Sequence, residues 1–154
     1  MEKKVFRVGS VGIGGISRGV HLPGIHKSPD LELVAVCDLK PERMEYARNT
    51  YGIREDHCFA DYHDLIACPD VDVIDISNNA HFEVAKAAIE AGKPFCLEKP
   101  VTLTAEEADI LAKAAQEKGI PNMVCFSYRF KAAARYAKEL VEKGMLGDIY
   151  HVYM

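Results

Sequence analysis

Short apolar runs alternate with amphipathic stretches along the whole chain. Val5 to Val11 is a β-rich run that ends in glycines, and Leu31-Glu-Leu-Val-Ala-Val-Cys37 is a second strand. Val71-Asp-Val-Ile-Asp-Ile76, Pro94-Phe-Cys-Leu97 and Asn122 to Phe126 are further runs of strand length. They are mostly apolar, as expected of strands buried on both faces. Cys58-Phe59 adds a short strand, and Ile149 is expected to open a last one.

The segments between these runs read as helices. One follows Gly15 and ends before Pro29; the next runs from Pro41, a residue suited to a first helical turn, to about Tyr51-Gly52. A short helix is expected over 61–66. Another spans about 80–91, where Val84, Ala87, Ala88 and Ala91 share a face before Gly92 stops it. Thr104-Ala-Glu-Glu107 reads as a capping box opening a helix that ends at Lys118-Gly119. A last helix is expected over 131–143. Strand–helix alternation of this kind implies parallel strands joined by right-handed crossovers. The expected fold is α/β, an open doubly wound parallel sheet. The chain stops a few residues into its last expected strand, with no element left to pair it, and so reads as part of a longer two-domain protein.

Composition narrows the class. The 154 residues suit one domain, with 49% hydrophobic and 27% charged residues, close to the globular average. Nineteen Lys and Arg stand against 23 Asp and Glu, a net charge of −4 that offers no basic excess for a nucleic-acid backbone. No apolar run approaches the roughly 20 residues of a membrane helix, and Arg7 interrupts the N-terminal one. A soluble cytoplasmic protein with neither nucleic acid nor membrane as partner is expected. The five cysteines are widely spaced without a CxxC pair, and the six histidines show no HExxH. No metal site is therefore expected from spacing.

Four segments carry candidate chemistry. Val8-Gly-Ser-Val-Gly12-Ile-Gly14-Gly15-Ile16-Ser17 begins as a strand, turns on glycines and should end as a helix N-terminus. Gly12 suits the tight turn and Gly14 lets backbone approach a pyrophosphate, with free N–H groups facing its charge. Ser17 stands where the usual fingerprint has its third glycine. Asp38 ends the second strand, where a dinucleotide fold places the acid that bonds ribose hydroxyls. A carboxylate there repels a 2′-phosphate and favours NAD over NADP, although Lys40 and Arg43 lie close enough in sequence to offer that phosphate a charge. Ser77-Asn78-Asn79-Ala80-His81 follows the fourth strand; these side chains either line a cleft at the carboxyl ends of the strands or, for Ser77 and Asn78, cap the next helix. Glu98-Lys99-Pro100 follows the fifth strand. It is either a surface ion pair or a Lys aimed into the cleft, where an ammonium polarises a substrate carbonyl or helps take a hydroxyl proton. The Lys–Pro bond is a candidate for the cis form.

These residues together resemble the Gfo/Idh/MocA oxidoreductase family. The resemblance rests on Gly12-x-Gly14-Gly15-Ile16, Ala35-Val-Cys-Asp38, His81, Ala91-Gly-Lys-Pro-Phe-Cys-Leu-Glu98-Lys99-Pro100 and Phe126-Ser-Tyr-Arg129-Phe130, and it spans essentially the whole chain in order. It implies an NAD(P)-dependent dehydrogenase of sugars, inositols or related polyols that forms a homo-oligomer at full length. A Rossmann domain is implied for residues 1–122, with the last strand, a linker and the start of a second domain over 123–154. Cofactor-binding positions fall on Gly12, Ile13, Gly14, Gly15, Ile16, Asp38, Ser77, Asn78, Asn79, His81 and Glu98, and the catalytic Lys on Lys99. Members commonly have Pro where this chain has Asn78-Asn79. Their remaining catalytic Asp and His lie in the second domain, beyond Met154, so the chain by itself is expected to be inactive. The alternative reading is an NAD(H)-binding sensor without turnover, against which Lys99 speaks.

Overall fold

The computed structural model describes residues 4–153. Six strands form one sheet: β1 (Phe6–Val11), β2 (Leu31–Cys37), β3 (Cys58–Phe59), β4 (Val73–Ile76), β5 (Phe95–Leu97) and β6 (Asn122–Val124). Their spatial order is β3-β2-β1-β4-β5-β6, with every pair parallel. The order reverses direction between β1 and β4, and the carboxyl ends of those two strands open a crevice there.

Helices cover both faces, as the apolar strands require. A π-helical segment (Ser17–His21) runs directly into α1 (Leu22–Lys27), and α2 (Pro41–Tyr51) follows β2. One core cluster, including Val8, Ile13, Leu22, Leu33, Val36 and Ala47, lies under α1 and α2. α3 (Tyr62–Ala67), α4 (His81–Glu90) and α5 (Ala105–Glu117) cover the other face. There Leu65, Ile74, Ile76, Val84, Ile89 and Leu111 form the larger cluster. The sheet is thus doubly wound, as the alternation of elements predicts.

The helix starts follow from local chemistry. Thr104 caps α5 through its hydroxyl, which accepts from the Glu107 N–H at 3.2 Å. The Glu107 carboxylate reaches one residue further back than a standard capping box and accepts from Leu103 N–H. α2 carries Pro41 in its first turn and ends on Gly52 in the left-handed region.

The structure departs from expectation at two places. The strand expected from Ile149 does not form over 149–153, and Met154 lies outside the described residues. No neighbouring edge is presented to that segment among the described residues, and an extended run without a partner leaves its backbone hydrogen bonds to water. β6 also stops at Val124 rather than reaching Phe126, and a single 3₁₀ turn (Glu55–His57) precedes Cys58. After β6 come a second 3₁₀ turn (Ser127–Phe130) and α6 (Ala132–Glu142), whose residues are exposed almost throughout. Phe126, Phe130 and Tyr150 are exposed as well, and Val124 is half-buried.

The amino end of the sheet is tied by one side chain. Arg7 on β1 forks onto Asp72, just before β4, with Nε and Nη2 donating at 3.1 and 2.9 Å, and its Nη1 reaches Asp70 at 2.9 Å. The Arg7 guanidinium and backbone N–H hold the Asp72 carboxyl at about 2, below its ordinary 3.8. A carboxyl depressed by folding stabilises the fold above its unfolded value and loses that contribution as pH falls towards the folded one. Urea unfolding of the wild type is therefore expected to show a falling midpoint between about pH 4 and pH 2 that Asp72→Asn flattens in part. Identical pH profiles for the two proteins would show that the pair contributes nothing.

Candidate functional site

The crevice between β1 and β4 is built around a turn that only glycine can make. Gly12 sits at φ +93°, in the left-handed region, and a Cβ there would lie 2.6 Å from the Asn78 backbone nitrogen. The turn is pinned on both sides: Gly12 N–H donates to the Cys37 carbonyl at 2.8 Å, and the Ser77 hydroxyl donates to the Gly12 carbonyl at 2.7 Å. Gly14 and Gly15 are different, because a Cβ at either would meet no atom within 4 Å. Their missing side chains leave space on the open side of the turn.

Asp38 stands at the tip of β2 and is 8% exposed. Its Oδ2 accepts from the Ile13 N–H at 2.7 Å and from Arg43 Nη1 at 3.2 Å, while Oδ1 accepts from the Lys40 N–H at 2.9 Å. Burial alone would raise its pKa, but the Lys40 and Ile13 amides and the Arg43 guanidinium outweigh it and leave the carboxyl below its ordinary value. Asp38, Arg43, Gly12, Gly14, Tyr62 and Asn78 line a cleft of about 570 Å³. A second cleft of about 570 Å³ adjoins it, lined by Ile16, Asn79, His81, Glu98, Lys99 and Pro100 among others. Ser77, Asn78, Asn79 and Ala80 border both halves.

The expected residues thus converge, with distinctions that sequence did not show. Ile13 does not line the cleft with its side chain, which is fully buried in the core, and its N–H is taken by Asp38. Neither Ser77 nor Asn78 caps α4: Ala80 occupies that position without a side-chain bond. The Asn78 Oδ1 is buried and has no hydrogen-bond partner among the described residues. His81 Nδ1 lies 2.5 Å from the Pro100 carbonyl, an acceptor, so Nδ1 carries the proton. The Lys99–Pro100 peptide is cis. Glu98 and Lys99 form no ion pair with each other; the Glu98 Oε2 accepts from the Lys99 backbone N–H at 3.0 Å, and the Lys99 side chain is exposed at the rim without a partner among the described residues.

Sequence reasoning missed the group that holds Glu98. His21, at the end of the π-helical segment, lies between two carboxylates: Nδ1 is 2.8 Å from Asp75 Oδ1, and Nε2 is 3.1 Å from Glu98 Oε1. The Asp75 hydrogen bond, opposed by burial and joined by the charge of Asp75, the Glu98 hydrogen bond and the charge of Cys125, raises the His21 pKa to about 9. Asp75, 1% exposed in the middle of β4, also accepts from the Ser10 hydroxyl at 2.7 Å. The available signal was Asp75 itself, since a carboxylate inside an otherwise apolar buried strand requires a partner.

The glycines give a first test of the site. Gly12→Ala places a side chain in the left-handed region, a cost of roughly 1–2 kcal/mol, and against Asn78 backbone; its melting temperature is expected to fall clearly. Gly14→Ala meets open space and is expected to stay within about ±0.5 kcal/mol of wild type while weakening dinucleotide binding. Parallel thermal melts and titrations check both, and equal melting temperatures for the two variants would refute the distinction.

Comparison with known proteins places this geometry. Residues 6–126 match the model of the Gfo/Idh/MocA oxidoreductase family, described as an NAD-binding Rossmann fold. The chain is 36% identical over 146 residues to an inositol 2-dehydrogenase of Salmonella paratyphi B, covering 92% of this chain and 43% of that protein. It is 36% identical over 116 residues to a levoglucosan dehydrogenase of Pseudarthrobacter phenanthrenivorans, covering 74% of this chain and 29% of that one. Among solved structures, scyllo-inositol dehydrogenase from Lactobacillus casei with bound NAD(H) and scyllo-inositol superposes with a TM-score of 0.89 at 29% identity. That match covers 95% of this chain and 43% of the other. The chain therefore spans less than half the length of these relatives.

Proposed function

The chain belongs to the Gfo/Idh/MocA oxidoreductase family, and we propose on that premise that it is the NAD(H)-binding part of a dehydrogenase acting on a sugar, inositol or related polyol. The observation that carries this reading is the Asp38 carboxylate, tied to the glycine turn through Ile13 N–H and facing a cleft that Gly14 lines without a side chain. The residues present fit a dinucleotide. Asp38 Oδ1 keeps an acceptor position for a ribose hydroxyl, since only Lys40 N–H occupies it among the described residues. The turn offers room for a pyrophosphate, and the buried, unpartnered Asn78 Oδ1 awaits a donor in the wall shared by both halves of the cleft. Residues 1–122 supply the cofactor domain, and 123–154 lead towards a substrate domain that completes the site and the oligomer. Five free thiols suit a reducing cytoplasm.

When bound, the nicotinamide accepts or returns a hydride. The work of this chain is to place and polarise the other reactant. Lys99 projects at the rim of the second cleft on a backbone fixed by Glu98 and followed by the cis peptide. Its side chain hydrogen-bonds the substrate oxygen: the amine takes the hydroxyl proton as hydride leaves, and the ammonium polarises the carbonyl and returns that proton when hydride is added.

Calorimetric titration of this chain is expected to show NAD(H) binding at least about tenfold tighter than NADP(H), because a 2′-phosphate opposite a buried carboxylate costs several kcal/mol. Asp38→Ser should narrow that gap, and equal or reversed affinities in the wild type would reject the Asp38 argument. In the polypeptide that joins this chain to its substrate domain, Lys99→Ala should lower kcat by about 10²–10⁴-fold with NAD(H) affinity nearly unchanged. Lys99→Arg should not restore it, since the planar guanidinium does not replace a compact ammonium. Near wild-type turnover by Lys99→Ala would make Lys99 a mere surface residue.

A further inference from the structure

We propose that His21, Glu98 and Cys125 form a binding site for one borderline divalent metal ion, zinc(II) or a chemically similar cation, in the wall of the cleft. The inference goes beyond the dinucleotide reading and does not depend on it. A ring nitrogen of His21, a carboxylate oxygen of Glu98 and the Cys125 Sγ all lie within 4.8 Å of one another. Tetrahedral zinc with bonds of about 2.0–2.3 Å sets its ligands about 3.5 Å apart. His21 Nε2 and Glu98 Oε1 are already at 3.1 Å, so small side-chain rotations close the remaining gap. Imidazole, thiolate and carboxylate are the donors such an ion takes, and three protein ligands leave a fourth position for water.

The second observation is the arrangement behind the histidine. Its Nδ1 is bonded to Asp75, and Asp75 is fixed in turn by the Ser10 hydroxyl. A carboxylate on the far imidazole nitrogen is the device that orients metal-binding histidines, and it aims Nε2 at the other two donors. The remaining ligands are held by backbone: Glu98 N–H donates to the Ile76 carbonyl at 2.9 Å and Cys125 N–H to the Leu97 carbonyl at 2.8 Å.

Charge favours a cation here. Among the described residues, His21 is the sole ion-pair partner of Asp75 and of Glu98. A dication placed between these donors meets two carboxylates that only the imidazole now faces. A second group of similar donors, His57, Cys68 and Asp70, lacks this property. Arg7 pairs with Asp70 at 2.9 Å, and Lys93 Nζ donates to the Cys68 carbonyl at 2.7 Å, so two fixed cations already occupy that neighbourhood.

The test uses the whole chain without dinucleotide, titrated with cobalt(II) and then zinc(II) and followed by absorbance. One equivalent of cobalt(II) is expected to give a thiolate-to-metal charge-transfer band in the near ultraviolet, which zinc(II) displaces. Cys125→Ser removes the band. Asp75→Asn keeps it and weakens binding by about 10–100-fold. Cys68→Ser changes neither. Far-ultraviolet circular dichroism checks that each variant folds; if Asp75→Asn does not, Glu98→Gln, on a half-buried side chain, supplies the affinity loss instead. No band in the wild type, a band that survives Cys125→Ser, or one abolished by Cys68→Ser would overturn the proposal.

Discussion

The cleft depends on one close approach, that of the turn after β1 to the loop after β4. Asn78 backbone occupies the position a Cβ on Gly12 would need, and the left-handed φ at Gly12 is what allows the turn to come so near. Everything functional is measured from that contact. Because the chain reverses there without a side chain, Ile13 N–H is brought to Asp38 and the Ser77 hydroxyl to the Gly12 carbonyl. Three strand ends are thereby locked to one another by hydrogen bonds of 2.7–2.8 Å. The sheet supplies the crevice, but the glycine sets its width.

Two buried carboxylates divide the labour along the sheet. Asp38 is satisfied by backbone amides and one guanidinium, so it stays ionised at the mouth of the cleft and still has acceptor capacity on Oδ1. Asp75 lies deeper, on the next strand but one, and is satisfied by Ser10 and His21. The first arrangement suits a group that meets ligand hydroxyls; the second suits one that holds other residues still. The chain Ser10–Asp75–His21–Glu98 ends at the Lys99 backbone N–H. The position of the rim lysine is thus traceable to a hydroxyl in the middle of β1. In a low-dielectric interior such a network is stable only when every member is satisfied, and each of these is.

How much of this was legible in sequence differs by kind of interaction. Strands buried on both faces announce themselves as apolar runs, so β1, β2, β4 and β5 and the parallel arrangement of the sheet followed from the alternation with helices. The glycine turn, Asp38 and Glu98-Lys99-Pro100 were legible because each is a local pattern at a strand end. The His21 cluster was not, since its members lie 54 and 77 residues apart along the chain, and spacing rules see only near neighbours. The π-helical segment Ser17–His21 adds to this, because one wider turn shifts the phase by which helical faces are read. Ile149 misled for a different reason: strand propensity describes a residue's fit to a sheet, and it forms a strand only where an edge is offered.

The polar atoms of the crevice fall into two sets, and the division has a direction. Those facing the interior are paired: Ser10, Asp75, His21 and both Glu98 oxygens have partners. At the opening Asp38, Ser77 and His81 are paired too, and two side chains are not. Among the described residues Asn78 Oδ1 has no donor, the Lys99 side chain has no partner, and nothing lies within 4 Å of where a Cβ on Gly14 or Gly15 would sit. An unpaired buried acceptor costs roughly 1–3 kcal/mol; among the described residues the fold carries that cost at Asn78 and at the Ser17 hydroxyl. At Asn78, where two half-clefts meet, it gives a ligand donor something to gain by binding there. The rigid, satisfied network behind these groups keeps them from finding partners among themselves.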